Sequence, residues 1–525
     1  MAQNAEYRPL GINPINSSNI YSNRNTKNVL RDSKKQPVKT SILYLNDIHG
    51  KTINMERIAS VSKAFDYINK NTDNDCLKLS SGDILLGNDI NINRSAVAFQ
   101  NAIGVLASAL GNHELDLGCT HKDNLPEILK DKKYALLANN ISFKEDKAMS
   151  DNIKNTSVIE INGHKYGLIG TAPIDLLSVL RKSELTSELK IDNLSDTVKN
   201  IQNDVDKLRS QGIDKIILLS HTGYEADIEI AKNTSGIDVI LGGHSHDLLR
   251  DIQEGKNIFY SKDNEPVIIT QGGRDGTHFG VLNLEFDENG IIKSAQNNIS
   301  YSSYFKRYLP MKYIVETFVG KPQTIGYIDY AEAPPKKVLL EPNGHANFIL
   351  DCMREDCGTD IAILPSAEIR GYFDTGKIDS RTLFEILPFK NKPVIINYSE
   401  KEIVDAIKVA SKSVKNRDNK PGIMCVSGLE YGINKDGELL YMNFIGKNGS
   451  KNKIDIDNPK TDKYYSTVIN DFHALSNKDF PMLMKYDKAE RVYNYDSAQC
   501  IINHFQKNNN PVHIKDDGRV KIITQ

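Results

Sequence analysis

From Thr40 onward the chain repeats one hydrophobic rhythm: a short β-prone apolar run, then Gly and polar residues, then a stretch with helical spacing. That alternation predicts an α/β architecture in which strands and helices take turns. The apolar runs are SILYL before Asn46-Asp47-Ile48-His49-Gly50, CLKLS before Ser81-Gly82-Asp83, VLASAL before Gly111-Asn112-His113-Glu114, KIILLS before His221, and DVILGG before His244-Ser245-His246. Every run ends in the same kind of polar residue. Loops leaving the carboxyl ends of neighbouring strands gather at one edge of a sheet, so these His, Asp and Asn side chains are predicted to converge.

The segment PVIITQGGRDGTHFGVLNLEFDENG reads as two more strands about a Gly-rich turn and closes a first domain over 40–308. A helix is predicted from Tyr308 to Val319, so that 309–320 links this domain to a second one over 321–525. The Asp-Gly and Asn-Gly turns of that second region predict a mixed α+β domain. Residues 1–39, rich in Asn, Ser and Arg without apolar periodicity, are expected to form a mobile polar leader, and Lys447 to Lys463 an exposed loop.

Composition narrows the classes. Over 525 residues, 39% hydrophobic and 26% charged side chains describe an ordinary globular protein and exclude global disorder. The 66 Lys+Arg nearly balance the 68 Asp+Glu, so no whole-chain field draws nucleic acid or an anionic membrane. Six cysteines without a CxxC pair provide neither a disulfide framework nor a structural zinc site. With no apolar run of about 18 residues and no recognisable export signal at the N-terminus, the expectation is a cytoplasmic protein with neither membrane nor nucleic-acid partners.

The convergent residues suggest a metal centre. Asp47 and His49 stand two apart, as do His244 and His246, and on an extended backbone each pair projects to one side and can clasp an ion. Carboxylate and amide oxygens suit hard cations and imidazole suits borderline ones, so the mixed set fits manganese, zinc or iron. Two cations about 3.5 to 4 Å apart need a bridging ligand to offset their repulsion, and Asp83 is the natural carboxylate for that place. Two dications against Asp47 and Asp83 leave a surplus of about +2, which attracts a phosphate and acidifies a bound water.

Together, LNDIHG, SSGD, GNHELDLG, the lone His221 and GGHSH resemble the calcineurin-like metallophosphoesterases, and their order and spacing are similar to those of the 5′-nucleotidase branch over about residues 40 to 300. The resemblance implies a metallophosphoesterase βαβ sandwich followed by an α+β domain of the 5′-nucleotidase C-terminal type. It further implies two divalent metal ions, one held by Asp47, His49, Asp83 and His246 and the other by Asp83, Asn112, His221 and His244. Some relatives carry Gln or Asn in the place of His246. His113 and Asp116 match the family's GNHExD positions, where the imidazole contacts the phosphoryl oxygens in the transition state and the carboxylate orients it. The chemistry agrees, since a His near neutrality can donate to developing negative charge and a carboxylate partner fixes its tautomer. Glu114 is expected to be structural. His121, His164, His278, His345, His473, His504 and His513 stand outside these motifs and are expected to be surface or satisfied core residues.

The second region resembles the 5′-nucleotidase C-terminal domain through NFILDCMRE, TDIAILPSAEIR, FEILPFKN and VINDFHALSNKDF. In that family the domain sandwiches the nucleoside base between two aromatic rings, which implies Phe389 and Phe480 here. Arg370 and Asn391 match polar contacts near the nucleoside and phosphate, and Asp487 lies close to a ribose-binding carboxylate position. The sequence also departs from the family. Asn-Gly-Gly-Gly-Ile-Arg has become Pro365-Ser366-Ala367-Glu368-Ile369-Arg370, GGDGF has become Ser476-Asn477-Lys478-Asp479-Phe480, and an upstream Arg is replaced near Leu339 or Leu340, with Lys336 and Lys337 as candidate substitutes.

The expected function is therefore dinuclear-metal-dependent hydrolysis of a small-molecule phosphate ester, foremost a nucleoside 5′-monophosphate, with nucleotide sugars or cyclic nucleotides as further substrates. The alternatives are a phosphatase for a non-nucleotide ester and a non-catalytic nucleotide-binding protein on the same scaffold. The joint presence of Asp83, His113 and Asp116 argues against the last.

Overall fold

The computed structural model describes residues 37–120, 122–337, 339–416, 421–508 and 511–523. The leader expected over 1–39 lies outside them except for its last three residues, and the first strand already opens at Val38. His121 also lies outside the described residues.

The first half is a two-sheet sandwich. In the seven-stranded sheet Val38–Leu45 is central, with His278–Phe286 antiparallel on one side and Asp75–Ser80, Ala107–Ala109 and Ala135–Leu137 following in parallel on the other. In the six-stranded sheet Lys215–Ser220 lies between His164–Thr171 and Val239–Leu241, parallel to both. Alternate residues such as Ile42, Leu77, Leu79, Leu168, Ile217 and Leu241 are fully buried between the sheets. Two hydroxyl pairs cross this apolar layer, Thr40 Oγ1 to Tyr166 Oη and Tyr44 Oη to Thr270 Oγ1, both at 2.7 Å. Helices cover the outer faces: Thr52–Asn69, Ile90–Ile103 and Leu309–Val319 pack on the first sheet, and Leu194–Ser210 and Tyr224–Asn233 on the second. Parallel strands need such crossover helices, which is why the sequence alternates and both sheet faces read as apolar.

The second half carries a mixed five-stranded sheet containing Ile361–Pro365, Tyr464–Asn470 and Pro393–Ser399, with three- and four-stranded sheets beside it. Gly344–Cys357 and Glu400–Ser411 pack against this layer through Ile349, Leu350, Ile403 and Ile407. An α/β domain followed by an α+β domain is the architecture that the sequence predicts. The Lys447 to Lys463 stretch is not simply a loop, because Lys451–Ile454 pairs antiparallel with Leu439–Ile445. Its Lys and Asn residues face solvent, and Ile454, 2% exposed, is the one residue of that strand sunk in the core.

The domains are docked through charged contacts. Glu56, fully buried, pairs with Arg307 and with Arg381 at 3.2 Å, the latter from the second domain. Lys51 Nζ donates to the carbonyls of Arg370, at 2.8 Å, and Glu385. Asn88 Nδ2 donates to Phe389 O at 2.8 Å, and Lys390 pairs with Asp89 at 2.5 Å. Among the described residues no helix is long and apolar enough to cross a membrane.

Candidate metal centre

The parallel pairing of Leu45 with Ser80 brings Asn46-Asp47 beside Ser81-Gly82-Asp83, and the ladder continues past the strand ends. Asp47 N donates to Gly82 O at 3.0 Å, His49 N to Asp83 O at 2.9 Å and Gly50 N to Ile84 O at 2.9 Å. Ser81 Oγ then donates to Leu241 O at 2.7 Å, which joins this edge to the other sheet where His244 begins. The ligand pairs are not on extended backbone, as the two-residue spacing suggests. Asp47, His49, Asp83, His244 and His246 all have positive φ, between 49° and 73°, and their side chains converge because the chain turns left-handed after each strand.

Among the described residues, three overlapping groups of side chains can hold a metal ion: Asp47 with His49 and His246, His49 with Asp83 and His113, and Asp83 with His221 and His244. Asp83 belongs to two of them, and its Oδ2 lies 3.0 Å from His221 Nε2 and 3.6 Å from His49 Nε2. Asn112 Oδ1 stands 3.1 Å from His244 Nδ1, adding an amide oxygen to the second group. His221 Nδ1 donates to Ser81 O at 2.5 Å, and His49 Nδ1 faces Asp275 Oδ1 at 3.0 Å. Both Nδ1 atoms meet acceptors, so Nε2 is the nitrogen that each ring turns into the cluster. Those two Nε2 atoms are buried and have no hydrogen-bond partner among the described residues. Buried orphaned nitrogens opposite carboxylates are the arrangement a divalent cation completes, and the residues fit one.

The electrostatics have the same cause. Burial would raise the Asp47 carboxyl, but His246 and His221 outweigh it and hold its pKa at about 2. Burial likewise opposes the charge on His221, but Asp83 and Asp47 prevail and push its pKa up to about 10. Burial holds His246 down at about 4 despite its 3.3 Å approach to Asp47. The carboxylates therefore demand compensating positive charge in a dry pocket.

Beside this cluster His113 Nδ1 meets Asp116 Oδ2 at 2.7 Å, and His113 Nε2 faces inward, 4.0 Å from Asp83. The same Asp116 oxygen accepts from Gly87 N at 2.8 Å, which anchors the carboxylate that orients the ring. Glu114 faces away and accepts four backbone N–H groups, from Asp83, Ile84, Leu85 and Gly111 at 2.7 to 3.2 Å. Three contributors stand outside the expected ligand set. Asn46 donates to Asp47 Oδ2 at 2.7 Å, Asp275 holds His49, and Asp175 stands 3.2 Å from His244 Nε2. Only Asn46, the residue just before Asp47, offers a signal in sequence.

The second-domain residues divide. Phe389 is half-buried at the domain boundary, its ring 6.0 Å from His113 and 5.2 Å from the Arg370 guanidinium. Asn391 is buried and donates to Glu368 Oε2 at 3.0 Å, an oxygen it shares with Asn470. Asp487 is exposed on the short turn Tyr486–Lys488. Phe480 is fully buried, packed in the second domain's core with its ring 6.1 Å from His473, and has no face open to a base. The Pro481–Leu483 turn, tied by Tyr398 Oη to Leu483 O at 2.6 Å, directs that ring inward. Lys336 and Lys337 are exposed, and Lys336 N donates to Glu341. The other described histidines have partners of their own, such as Asp75 for His164, Glu332 O for His345 and Glu355 for His504.

This fold and cluster have the form of a metallophosphoesterase domain. The family model for calcineurin-like phosphoesterases matches residues 40–248 and that for the 5′-nucleotidase C-terminal domain matches 331–485, so the chain joins a calcineurin-like phosphoesterase domain to a 5′-nucleotidase C-terminal domain. It is 23% identical to the trifunctional nucleotide phosphoesterase protein YfkN of Bacillus subtilis across 94% of this chain and 36% of that one. It is 31% identical to a 5′-nucleotidase of Diplobatis ommata across 51% of this chain and 49% of that one. The chain thus spans between about a third and a half of the length of these curated relatives. Its fold is shared with the crystal structure of a 5′-nucleotidase precursor from Thermus thermophilus, at 21% identity and a TM-score of 0.77, covering 92% of this chain and 99% of that one.

Proposed function

We propose that this protein is a metal-dependent phosphoester hydrolase whose centre takes two divalent cations, manganese, zinc or iron, and which releases phosphate from nucleoside 5′-monophosphates. The observation that carries this reading is the pair of orphaned Nε2 atoms on His49 and His221, aimed at Asp47 and Asp83 within reach of the His113–Asp116 pair. Asp47, His49, Asp83 and His246 would hold one cation and Asp83, Asn112, His221 and His244 the other. Bound there, the cations supply neutralisation of the phosphoryl charge and a water of lowered pKa. His113 Nε2 faces the same space and donates to a phosphoryl oxygen as negative charge develops, while Asp116 keeps the ring's orientation. Arg370 offers a guanidinium from the second domain, and Phe389 a ring on which a base can stack. In this reading 40–308 carries the chemistry and 321–525 recognises the substrate. YfkN and the 5′-nucleotidases named above support the nucleotide class.

A second reading, a phosphatase for a non-nucleotide ester, is favoured by the burial of Phe480, which leaves Phe389 without the second ring of a base clamp. Phosphate release from a panel of nucleotides, nucleotide sugars, cyclic nucleotides, sugar phosphates and aryl phosphates, with each metal and after chelation, separates the two. Metal-dependent release favouring nucleoside 5′-monophosphates is expected. Preference for a non-nucleotide ester establishes the second reading, and nucleotide binding without turnover overturns both.

A further inference from the structure

Outside the metal cluster, positive φ among the described non-glycine residues falls on Asn162, Asn264, Asp275 and Lys390. Asn and Asp tolerate the left-handed region because a short polar side chain can bond to nearby backbone there, and a lysine has no such relief. Lys390, at φ +50°, is therefore the residue whose conformation needs a cause. Packing does not supply it, since Lys390 borders a cavity of about 570 Å³ between the domains and its side chain is 41% exposed.

Two contacts from the first domain grip the turn instead. Asn88 Nδ2 donates to Phe389 O at 2.8 Å, and Asp89 Oδ2 meets Lys390 Nζ at 2.5 Å, so consecutive residues of one domain hold consecutive residues of the other. The Asp89 carboxylate is itself fixed, because its Oδ1 caps the helix Ile90–Ile103 by accepting from Asn91 N at 2.8 Å and Ile92 N at 3.0 Å. Gly87 lets the two chains meet closely, since a Cβ there would lie 2.3 Å from Pro388 O. Gly87 N also donates to Asp116 Oδ2 at 2.8 Å, the oxygen that meets His113 Nδ1 at 2.7 Å. Asn93, fully buried, braces the same run by accepting from Leu86 N at 3.1 Å and donating to Gly87 O at 3.0 Å. The run 87–89 is thus one short bracket, with the His113–Asp116 pair fixed at one end and the Phe389–Lys390 turn at the other. Across it the Phe389 ring stands 6.0 Å from the His113 ring.

We propose that Asp89 and Lys390 are positioning residues: their ion pair, with the Asn88 hydrogen bond, keeps the Phe389 turn left-handed and so sets the spacing between the phosphate and the leaving group's ring that the site accepts. This rests on the nucleoside-monophosphate reading. Without the ion pair the left-handed turn loses population to ordinary backbone and the Phe389 ring leaves its place beside His113. Esters whose leaving group carries a remote ring then bind more weakly, and compact esters do not.

The test uses the full metal-loaded chain and the variants Asp89→Asn, Lys390→Ala and Lys390→Gly, with kcat and KM for a nucleoside 5′-monophosphate and for the ringless ester glycerol 2-phosphate. Asn still caps the helix, so Asp89→Asn removes the ion pair alone. Expected for Lys390→Ala is a fall of roughly 5- to 30-fold in kcat/KM for the nucleotide, mostly through KM, the population equivalent of about 1 to 2 kcal/mol of left-handed backbone. Asp89→Asn should fall in the same direction, and the double variant no further than Lys390→Ala. Glycerol 2-phosphate should stay within about threefold throughout. Lys390→Gly decides between backbone and side chain: glycine takes φ +50° without strain, so it should recover most of the loss although it lacks the charge. A fall in Lys390→Gly as deep as in Lys390→Ala overturns the proposal and makes the ammonium group itself the contact. No fall in Lys390→Ala overturns it as well, as does an equal fall for both esters. If the parent hydrolyses no nucleotide, that reading fails by itself, and the turn is read without turnover. The chain has no tryptophan, so Phe389→Trp adds a single reporter. Its emission should shift to the red and be quenched faster by acrylamide with Lys390→Ala but not with Lys390→Gly, and identical emission in all three backgrounds overturns the proposal.

Discussion

Glu114 offers the sharpest test of how the centre is built. Its two carboxylate oxygens are fully used: Oε2 accepts from Asp83 N and Gly111 N at 2.8 and 2.7 Å, and Oε1 from Ile84 N and Leu85 N at 2.8 and 3.2 Å. Glu114→Gln keeps the shape and one acceptor oxygen. In either orientation of the amide, its NH2 faces two backbone donors, which become buried groups without an acceptor. At about 1 to 3 kcal/mol per orphaned donor, the substitution removes roughly 2 to 6 kcal/mol. Part is returned, because burial and the neighbouring Asp83 already disfavour the Glu114 charge and raise its pKa, which points to the lower half of that range.

The loss falls on the backbone of Asp83 itself, so the variant should also bind metal more weakly. Denaturation with chelator present compares metal-free parent and variant without the contribution of bound cations. The chain has 23 tyrosines and no tryptophan, so circular dichroism with tyrosine emission is the suitable signal. Hydrogen exchange reads the cause directly, since the amides of Asp83 and Gly111 should lose protection before the rest of the sheet does. An unchanged midpoint together with unchanged protection at those amides would refute the reasoning and leave Glu114 free for a role in the chemistry.

Asp83→Ala should abolish activity and lower occupancy at both metal positions, and full occupancy by elemental analysis would exclude Asp83 as a shared ligand. His113→Asn should retain metal yet lose kcat by roughly 100-fold or more, whereas parallel loss of metal would make His113 structural. Phe389→Ala should raise KM for a nucleotide by about 5-fold to over 100-fold, equivalent to roughly 1 to 3 kcal/mol of stacking, and leave kcat/KM for a small aryl phosphate nearly constant. Phe480→Ala should instead cost roughly 3 to 5 kcal/mol of stability as a core truncation, with nucleotide KM unchanged; the reverse pattern would restore Phe480 to a binding role.

The positions of the cluster residues are legible in the sequence because parallel α/β strands mark their own ends: an apolar run stops, and the polar residue after it faces the sheet edge. The convergence of Asp47, Asp83, Asn112, His221 and His244 follows from that rule and from the crossover topology. The rule does not give the conformation of the residues after the strand. Spacing of two on an extended backbone suggests the same side for Asp47 and His49, and the observed left-handed turns reach a similar convergence by another path. Asp275 and Asp175 are invisible in sequence because they reach the cluster through tertiary folding from turns with no motif of their own. Phe480 shows the opposite failure. An aromatic after SNKD is equally compatible with a clamp and a core, and the choice is made by the Pro481–Leu483 turn and its bond to Tyr398, which local pattern does not encode.

Five candidate ligands at positive φ are a concentration of backbone strain at one edge of the sandwich. Each L-residue there costs about 1 to 2 kcal/mol relative to ordinary backbone, so glycine would be the cheaper choice at every one of those positions on conformation alone. The surroundings hold them nonetheless: the ladder between 47–50 and 82–84 continues beyond the strands, Glu114 gathers four amides, and the Asp275 turn locks to Asp47. Gly243 shows how tight this packing is, since a Cβ there would lie 2.7 Å from His221 Nδ1. Strain that persists because neighbouring structure over-determines it is typical of sites whose geometry must precede their ligand. The consequence is preorganisation. The Nε2 atoms and carboxylates already converge, so a cation entering here replaces electrostatic tension with coordination, and its binding free energy is not consumed in turning the backbone.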